Sequence, residues 1–148
     1  MSANRKQIVV AVDNSDNCFR ALIAGAELAC AMGRELALLY VFPYSPGASA
    51  SMTGLNELSP EKLKEHKSSV SERVFKGAEA ELGQKYPVSQ RHLLVGDPAE
   101  EIINFMKAHS DAHLVMGRRG LSKIKSLVLG SVSDKVTRHA PGLVTVVS

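Results

Sequence analysis

Short apolar runs alternate along this chain with longer segments whose apolar residues recur at helical spacing. A short, mostly apolar run between polar stretches is typical of a buried strand, and recurrence at every third or fourth residue is typical of an amphipathic helix. The pattern therefore predicts five strands and four helices. The strands are predicted at 8–12, 35–42, 88–95, 113–116 and 143–147, and the helices at 15–33, 60–82, 98–109 and 131–138.

Polar residues followed by proline mark the starts of two of these helices. Ser59 precedes Pro60, and Asp97 precedes Pro98, with Glu100 three residues after Asp97. A cap side chain accepts a hydrogen bond from a first-turn amide, and proline fits the first helical position. Asp97 and Glu100 also match the capping box, in which the glutamate bonds back to the amide of the cap residue.

The first helix is predicted to begin at Ser15, as its cap, and to stop at Gly33. Its two cysteines, Cys18 and Cys30, would lie about 18 Å apart along the helix, which is too far for a disulfide between them. We therefore expect reduced thiols, as is usual in the cytoplasm. The buried face is expected to hold Cys18, Ala21, Leu22, Gly25, Leu28, Ala29 and Met32.

The alternation of strands and helices predicts a single α/β domain over residues 1–148, built on a mainly parallel sheet with helices on both faces. We expect the strand order 3-2-1-4-5, with the third strand at an edge because Arg91 and His92 interrupt its apolar pattern. The segment from Tyr44 to Ser59 is rich in serine, glycine and proline and predicts a loop. In such folds ligands bind beyond the carboxyl ends of the strands where the strand order reverses, which is after Asp13 and Gly117.

Composition narrows the class of protein only slightly. The chain of 148 residues is 45% hydrophobic and 22% charged, with a net charge of +3, as expected of a soluble globular domain. No apolar run approaches the ~18 residues of a membrane span, and the apolar run before Asp13 is too short for a signal peptide. We expect a cytoplasmic protein without membrane contact.

The glycines after the fourth strand have a spacing that suits a phosphate site. Gly117 and Gly120 allow close backbone approach to a ligand, and Gly130 with Ser131 opens a helix whose free amides and dipole favour an anion. Hydrogen-bond donors from these two separate parts of the chain suit a polyphosphate. The alternative is that these glycines only make turns and Ser131 only caps a helix. The motifs GxxxxGK[ST] and GxGxxG are absent, so a nucleotide site here would be of another type.

Several charged residues have competing interpretations. Arg118, inside the glycine segment, would clamp a phosphate, point to solvent or narrow the site. The basic residues Lys123 and Lys125 fit a solvated loop, and nucleic-acid binding is not expected, because no aromatic residues interleave with the cations. Asp13 is either a ligand of ribose hydroxyls or Mg²⁺, or a local cap. The five histidines show no metal-ligand spacing, so surface roles are expected.

The blocks VVAVDNS, LYVF, VGDPAEEI and GRRGLSKIKSLVLGSVSDKV strongly resemble the ATP-binding branch of the universal stress protein family. The resemblance covers nearly the whole chain and includes the G-x2-G-x9-G-[ST] motif. It implies that Gly117, Gly120, Gly130 and Ser131 hold phosphates, with Arg118 and Val132 beside them in the same segments. It also implies that Asp13 lies near the ribose and a magnesium ion, and that the backbone of Val41 holds adenine.

The resemblance implies an ATP-binding regulatory protein of the stress response, with ATP and Mg²⁺ as ligands. The alternatives are a slow ATPase and a stress-linked interaction protein that binds no nucleotide. Efficient hydrolysis is not expected, because no base or arginine finger is evident, and we assign no catalytic residue. The apolar last strand, 143–147, lacks the charges or proline that guard an exposed edge, so it predicts a homodimer through that strand, as the resemblance also implies.

Overall fold

The computed structural model describes residues 6–13, 18–44, 59–118 and 129–148. The predicted cap Ser15, residues 45–58 of the predicted loop, and Gly120, Lys123 and Lys125 lie outside these ranges. The elements are β1 (Ile8–Ala11), α1 (Cys18–Met32), β2 (Leu36–Pro43), α2 (Pro60–Leu82), β3 (Gln90–Gly96), α3 (Pro98–Ala108), β4 (His113–Gly117), α4 (Ser131–His139) and β5 (Leu143–Val147).

The strands form one sheet in the order β3-β2-β1-β4-β5, and every neighbouring pair is parallel. This confirms the predicted α/β fold and its strand order. The chain moves outward from β1 to β2 and β3, and then crosses to β4 on the other side of β1. The order therefore reverses between β1 and β4, which is where the sequence places the ligand site.

The two faces of the sheet are buried by different helices, because alternate residues of each strand point to opposite faces. On one face Val10, Leu38 and Tyr40 pack with buried residues of α1 and α2. On the other face Leu39 and Val41 pack with buried residues of α3 and α4. The central strands are covered on both sides, which explains their nearly continuous apolar sequence.

The edge strand β3 has the exposure expected of an outer strand. Leu93 and Val95 are both 40% exposed. Arg91 of the same strand pairs with Glu79 at 2.6 Å and with Glu72 at 3.0 Å on α2. The polar interruption of the apolar pattern thus reflects ion pairing between an edge strand and a helix, and the predicted edge position of this strand is confirmed.

The predicted caps of α2 and α3 are present. Ser59 accepts a hydrogen bond from the amide of Lys62 at 3.2 Å, and Asp97 accepts one from the amide of Glu100 at 3.0 Å. The predicted capping box is incomplete, however. The carboxylate of Glu100 lies 3.6 Å from the ammonium of Lys135 on α4, so it links two helices instead of bonding back to the cap.

Two expectations about burial are wrong. Met32 was expected on the buried face of α1 but is 43% exposed, because it lies in the last helical turn beyond the region that packs on the sheet. The histidines are not all surface residues. His92 is partly buried against the ring of Phe105, and His113 is partly buried with its Nε2 2.7 Å from Thr145 Oγ1.

Helix α1 approaches the sheet closely at a glycine. A β carbon at Gly25 would overlap the side chain of Val10 in β1, so only glycine fits at this contact. The close approach sets α1 against β1 and β4. Within the described ranges, no helix has the length and apolar character that a membrane crossing requires.

Candidate functional site

A cavity of about 370 Å³ opens at the carboxyl end of the sheet, where the strand order reverses. Strand ends supply Ala11, Val12, Asp13, Leu39, Tyr40, Val41, Pro43, Met116 and Gly117, and helix starts supply Cys18, Pro98, Ile102, Gly130, Ser131, Val132 and Ser133. Parallel strands direct all their carboxyl ends to the same edge. The cavity therefore collects residues that are far apart in sequence.

One wall of the cavity is apolar. Leu39 and Val41 come from β2, Ile102 from α3 and Met116 from β4, and all four are less than a tenth exposed. Pro98 at the first turn of α3 extends this wall. An apolar slot beside polar groups is the usual arrangement for a small ligand with a flat ring, because the wall supplies burial and the polar groups supply orientation.

Asp13 brings a negative charge to the cavity just after β1. Its backbone carbonyl accepts a hydrogen bond from the thiol of Cys18 at 3.5 Å, which ties the strand end to the start of α1. The pKa of the Tyr40 phenol is raised, first by burial and then by the negative charge of Asp13. Asp13 thus acts electrostatically on the neighbouring strand end, where hydrogen-bond donors of a ligand would be favoured.

The first turn of α4 brings positive electrostatic potential to the same cavity. Gly130 is the cap residue and has no side-chain cap, and the amide of Asp134 is bonded to its carbonyl at 2.9 Å. The amides of Ser131, Val132 and Ser133 therefore precede the first helical hydrogen bond and have no acceptor within the helix. Free amides at a helix start form a site that favours anions.

The backbone of Arg118 joins three elements at this point. Its amide donates to the carbonyl of Val147 at 2.7 Å, which continues the β4–β5 ladder by one residue. Its carbonyl accepts hydrogen bonds from the amide of Gly130 at 2.8 Å and from the hydroxyl of Ser133 at 2.6 Å. The two ends of the glycine segment are therefore held together beside the cavity.

Most of the predicted site residues meet at this cavity. The residues in its lining are Asp13, Val41, Gly117, Gly130, Ser131 and Val132. Arg118 is not among the lining residues, and its described contacts are those of its backbone. Gly120 lies outside the described residues. Gly96, at the end of β3, does not line the cavity, and its φ of 142° suits glycine where the chain turns towards α3.

Sequence reasoning missed Pro98, Ile102 and Ser133 as cavity residues. The signal for Pro98 and Ile102 was available, because the Asp97 cap marks a helix that begins at the same sheet edge as the glycine segment. Ser133 had no separate signal, since a serine in a first helical turn is common without any ligand. The described residues contain no group of three or more histidine, cysteine, aspartate or glutamate side chains placed to hold a metal ion.

The chain matches the universal stress protein family over residues 4–148. It is similar to the universal stress protein YxiE of Bacillus subtilis, with 30% identity over 89% of this chain and 91% of that protein. It is also similar to the universal stress protein MJ0531 of Methanocaldococcus jannaschii, with 33% identity over 94% of this chain and 81% of the other.

The fold is shared with solved structures at lower identity. One of them is a universal stress protein from Archaeoglobus fulgidus in complex with dAMP. It has a TM-score of 0.67 and 23% identity, and the match covers 97% of this chain and 98% of that one. At this identity the likeness concerns the fold.

Proposed function

The chain belongs to the universal stress protein family, and we propose that it is a regulatory stress-response protein whose cavity binds ATP. The observation that carries this proposal is the pairing of an apolar wall with the free first-turn amides of α4 in one cavity. A nucleotide presents an apolar ring at one end and phosphates at the other. Few other common metabolites match both ends of such a site.

Each part of the nucleotide has a proposed partner. The base would lie against the apolar wall, with the backbone of Val41 as its hydrogen-bonding group, and the ribose beside Asp13. The phosphates would bind the first-turn amides of Ser131, Val132 and Ser133, with the backbone of Gly117 and Gly130 beside them. Arg118 and Gly120 remain candidates for the outer phosphates. The dAMP complex of the Archaeoglobus fulgidus protein supports an adenine nucleotide in this fold.

We propose that Mg²⁺ enters the site with the phosphates of ATP. Magnesium is usually bound by one or two carboxylates, substrate phosphates and waters, and Asp13 is the one carboxylate among the described lining residues. Asp13 thus fits the role of a single protein ligand. When bound, the ion would neutralise phosphate charge, and Asp13 would orient it next to the ribose.

The described cavity favours holding a nucleotide over hydrolysing it. Its described lining contains no histidine, no lysine and no second carboxylate to orient an attacking water. Rapid phosphoryl transfer requires such a group and a cation on the transferred phosphate. We therefore propose that occupancy modulates conformation or partner binding and that any ATP hydrolysis is slow. Cys18 and Cys30 are not joined in a disulfide, which supports a cytoplasmic location.

We also propose a homodimer through β5. This strand lies at the edge of the sheet, and Leu143 is 57% exposed. Antiparallel pairing of Leu143–Val147 with the same strand of a second copy would close the edge under a two-fold axis. Val146→Pro or Val146→Lys should shift the protein towards monomer in sedimentation. A wild-type mass of one chain at micromolar concentration would disprove the dimer.

The nucleotide proposal is tested by titration calorimetry of the purified protein with Mg²⁺ and ATP, ADP, AMP, GTP or adenosine. Native mass spectrometry of the protein as isolated would identify a retained ligand. We expect ATP to bind, GTP to bind more weakly, and ATP turnover to be much slower than nucleotide exchange. Absence of binding for all adenine compounds would favour the nucleotide-independent interaction protein, and fast turnover would favour an ATPase.

A further inference from the structure

The hydroxyl of Ser133 makes a hydrogen bond that leaves its own helix. Ser133 is the third residue of α4 and only 2% exposed. Its Oγ lies 2.6 Å from the carbonyl oxygen of Arg118 and 3.2 Å from that of Gly130. Since a hydroxyl has one proton, the shorter contact identifies the carbonyl of Arg118 as its main acceptor.

This bond differs from helix capping. The cap side chains Ser59 and Asp97 accept hydrogen bonds from amides of their own helices. The hydroxyl of Ser133 instead donates to a carbonyl at the end of a strand, so it connects α4 to the sheet. It satisfies no amide of the first turn, and those amides stay available.

The hydroxyls of Ser131 and Ser133 are in opposite situations. The side chain of Ser131 is exposed at the cavity, and it has no hydrogen-bond partner among the residues of the described ranges. The side chain of Ser133 is buried, and its proton is used by Arg118. The hydroxyl of Ser131 can therefore donate to a ligand, and the hydroxyl of Ser133 can act only through the backbone that it holds.

The backbone held by Ser133 is the anion-binding turn. The amide of Arg118 is fixed to β5 by a 2.7 Å bond to Val147, and its carbonyl accepts from both Gly130 and Ser133. The position of the α4 amides relative to the sheet is thus set by two hydrogen bonds to one carbonyl. Phosphate sites depend on amides held within a fraction of an ångström, so a loosened turn binds phosphate less well.

We infer that Ser133 is a positioning residue for phosphate, because its hydroxyl fixes the first turn of α4 against Arg118 and is not itself a ligand of the phosphate. This inference rests on the proposed nucleotide function and goes beyond it, because it assigns the phosphate affinity in part to a buried side chain. It also distinguishes Ser133 from Thr137. The hydroxyl of Thr137 on the same helix donates to the carbonyl of Asp134 at 2.9 Å and joins nothing to the sheet.

The test compares Ser133→Ala with Ser133→Thr, which keeps the hydroxyl, and with Thr137→Ala as the matched control. Calorimetric affinities are measured for adenosine, AMP, ADP and ATP, and thermal denaturation monitors folding. In Ser133→Ala we expect about a tenfold loss for ATP, on the scale of one hydrogen bond in a binding site, and less than about a twofold change for adenosine. Ser133→Thr should restore ATP binding, and Thr137→Ala should leave all four affinities unchanged.

A folded Ser133→Ala protein is expected, because the Arg118 carbonyl keeps its bond from Gly130. Should that variant not fold, the Ser133→Thr protein decides alone, since a positioning hydroxyl predicts wild-type affinity for every ligand in the series. An equal loss for adenosine and ATP would show that Ser133 only shapes the cavity and would overturn the inference. Unchanged ATP affinity in Ser133→Ala would also overturn it. If the wild-type protein binds none of the four compounds, the proposed function itself fails, and that result is distinct from both others.

Discussion

The two ends of the parallel sheet differ in whether their polar groups have hydrogen-bond partners. At the amino end, where the strands begin, described side chains pair with one another: Gln7 bonds to Gln90 at 2.9 Å and to His92 at 3.2 Å. At the carboxyl end, the first-turn amides of α4 and the hydroxyl of Ser131 face the cavity without described partners. Both ends contain polar residues, but the unpaired donors that line the described cavity lie at the carboxyl end.

The difference follows from chain direction. Helices that lead to the next parallel strand begin near the carboxyl end of the sheet, so free amides collect there, and they end near the amino end. The amino end is closed by packing: the ring of Phe105 lies 4.8 Å from that of His92 and 4.2 Å from that of His109. A binding site is therefore expected where donors remain unused, and a stabilising cluster where they are paired.

The largest expected effect is a loss of ATP affinity from a substitution at the carboxyl end of the sheet. Gly130→Val places a branched side chain at the buried cap of α4, where the backbone must approach the ligand. We expect at least about a hundredfold loss of ATP affinity in calorimetry, with little change in melting temperature. Gly77→Val is the matched control, because Gly77 lies on α2 with open space around it. Undiminished binding in Gly130→Val, and likewise in Gly117→Val, would disprove the assigned phosphate site.

A smaller effect is expected from the charge at the carboxyl end. Asp13→Ala should weaken ATP binding by about 1–2 kcal/mol if the carboxylate contacts the ribose or the metal ion, as for a charge-assisted hydrogen bond. The loss should shrink when Mg²⁺ is omitted. If Asp13 acts only as a local cap, the melting temperature should fall while ATP affinity stays constant.

The stability contributed by the amino end should depend on pH. The pKa of His92 is lowered, first by burial and then by the nearby His109. A histidine whose pKa is lower in the folded state stabilises the fold fully above the ordinary value of 6.5, and that contribution is lost as the pH falls through this value towards the folded pKa. The free energy of unfolding should decrease between about pH 7 and pH 5.

The variant that tests this pH effect removes the imidazole of His92, whose ring lies 4.8 Å from that of Phe105. His92→Gln should flatten part of the pH dependence in denaturant titrations. Part of the pH dependence should remain in His92→Gln, because burial and the charge of Arg34 lower the pKa of His113 as well. Identical pH profiles for wild type and His92→Gln would contradict the assignment.

Much of the difference between the two ends of the sheet could be predicted from the sequence. The strand order, the caps Ser59 and Asp97 and the collection of Asp13 and Gly117 at one sheet edge follow from local patterns and the geometry of parallel sheets. These features depend on residues close together in the chain or on topology that few alternatives satisfy. The sequence therefore predicted the sheet edge at which the cavity lies.

The features that escaped prediction depend on contacts between distant residues. The capping-box pattern at Glu100 did not anticipate Lys135 on another helix, and the motif around Ser131 gave no reason to distinguish Ser133. The histidines were expected at the surface, because they show no metal-ligand spacing. The ring of Phe105 and the side chain of Gln7 become neighbours of His92 only in the folded sheet.

The smallest expected effect concerns the bond between His113 and Thr145 at the amino end. His113 Nδ1 is buried and has no hydrogen-bond partner within the described part of the chain, so the 2.7 Å contact of Nε2 with Thr145 Oγ1 is the side-chain hydrogen bond that it makes there. Thr145→Val removes the hydroxyl and keeps the shape and strand preference of the side chain. We expect a loss of about 1 kcal/mol in the free energy of unfolding, the usual net value of one hydrogen bond.

The matched variant Thr145→Ser keeps the hydroxyl and should stay closer to wild type in denaturant titrations. ATP affinity should be unchanged in both variants, because Thr145 pairs with Val115 in the middle of the sheet and lies outside the cavity lining. If Thr145→Val weakened ATP binding as much as Asp13→Ala, the separation between a stabilising amino end and a ligand-binding carboxyl end would be wrong. If it were as stable as wild type, the amino-end bond would contribute nothing, and the fold there would depend on packing alone.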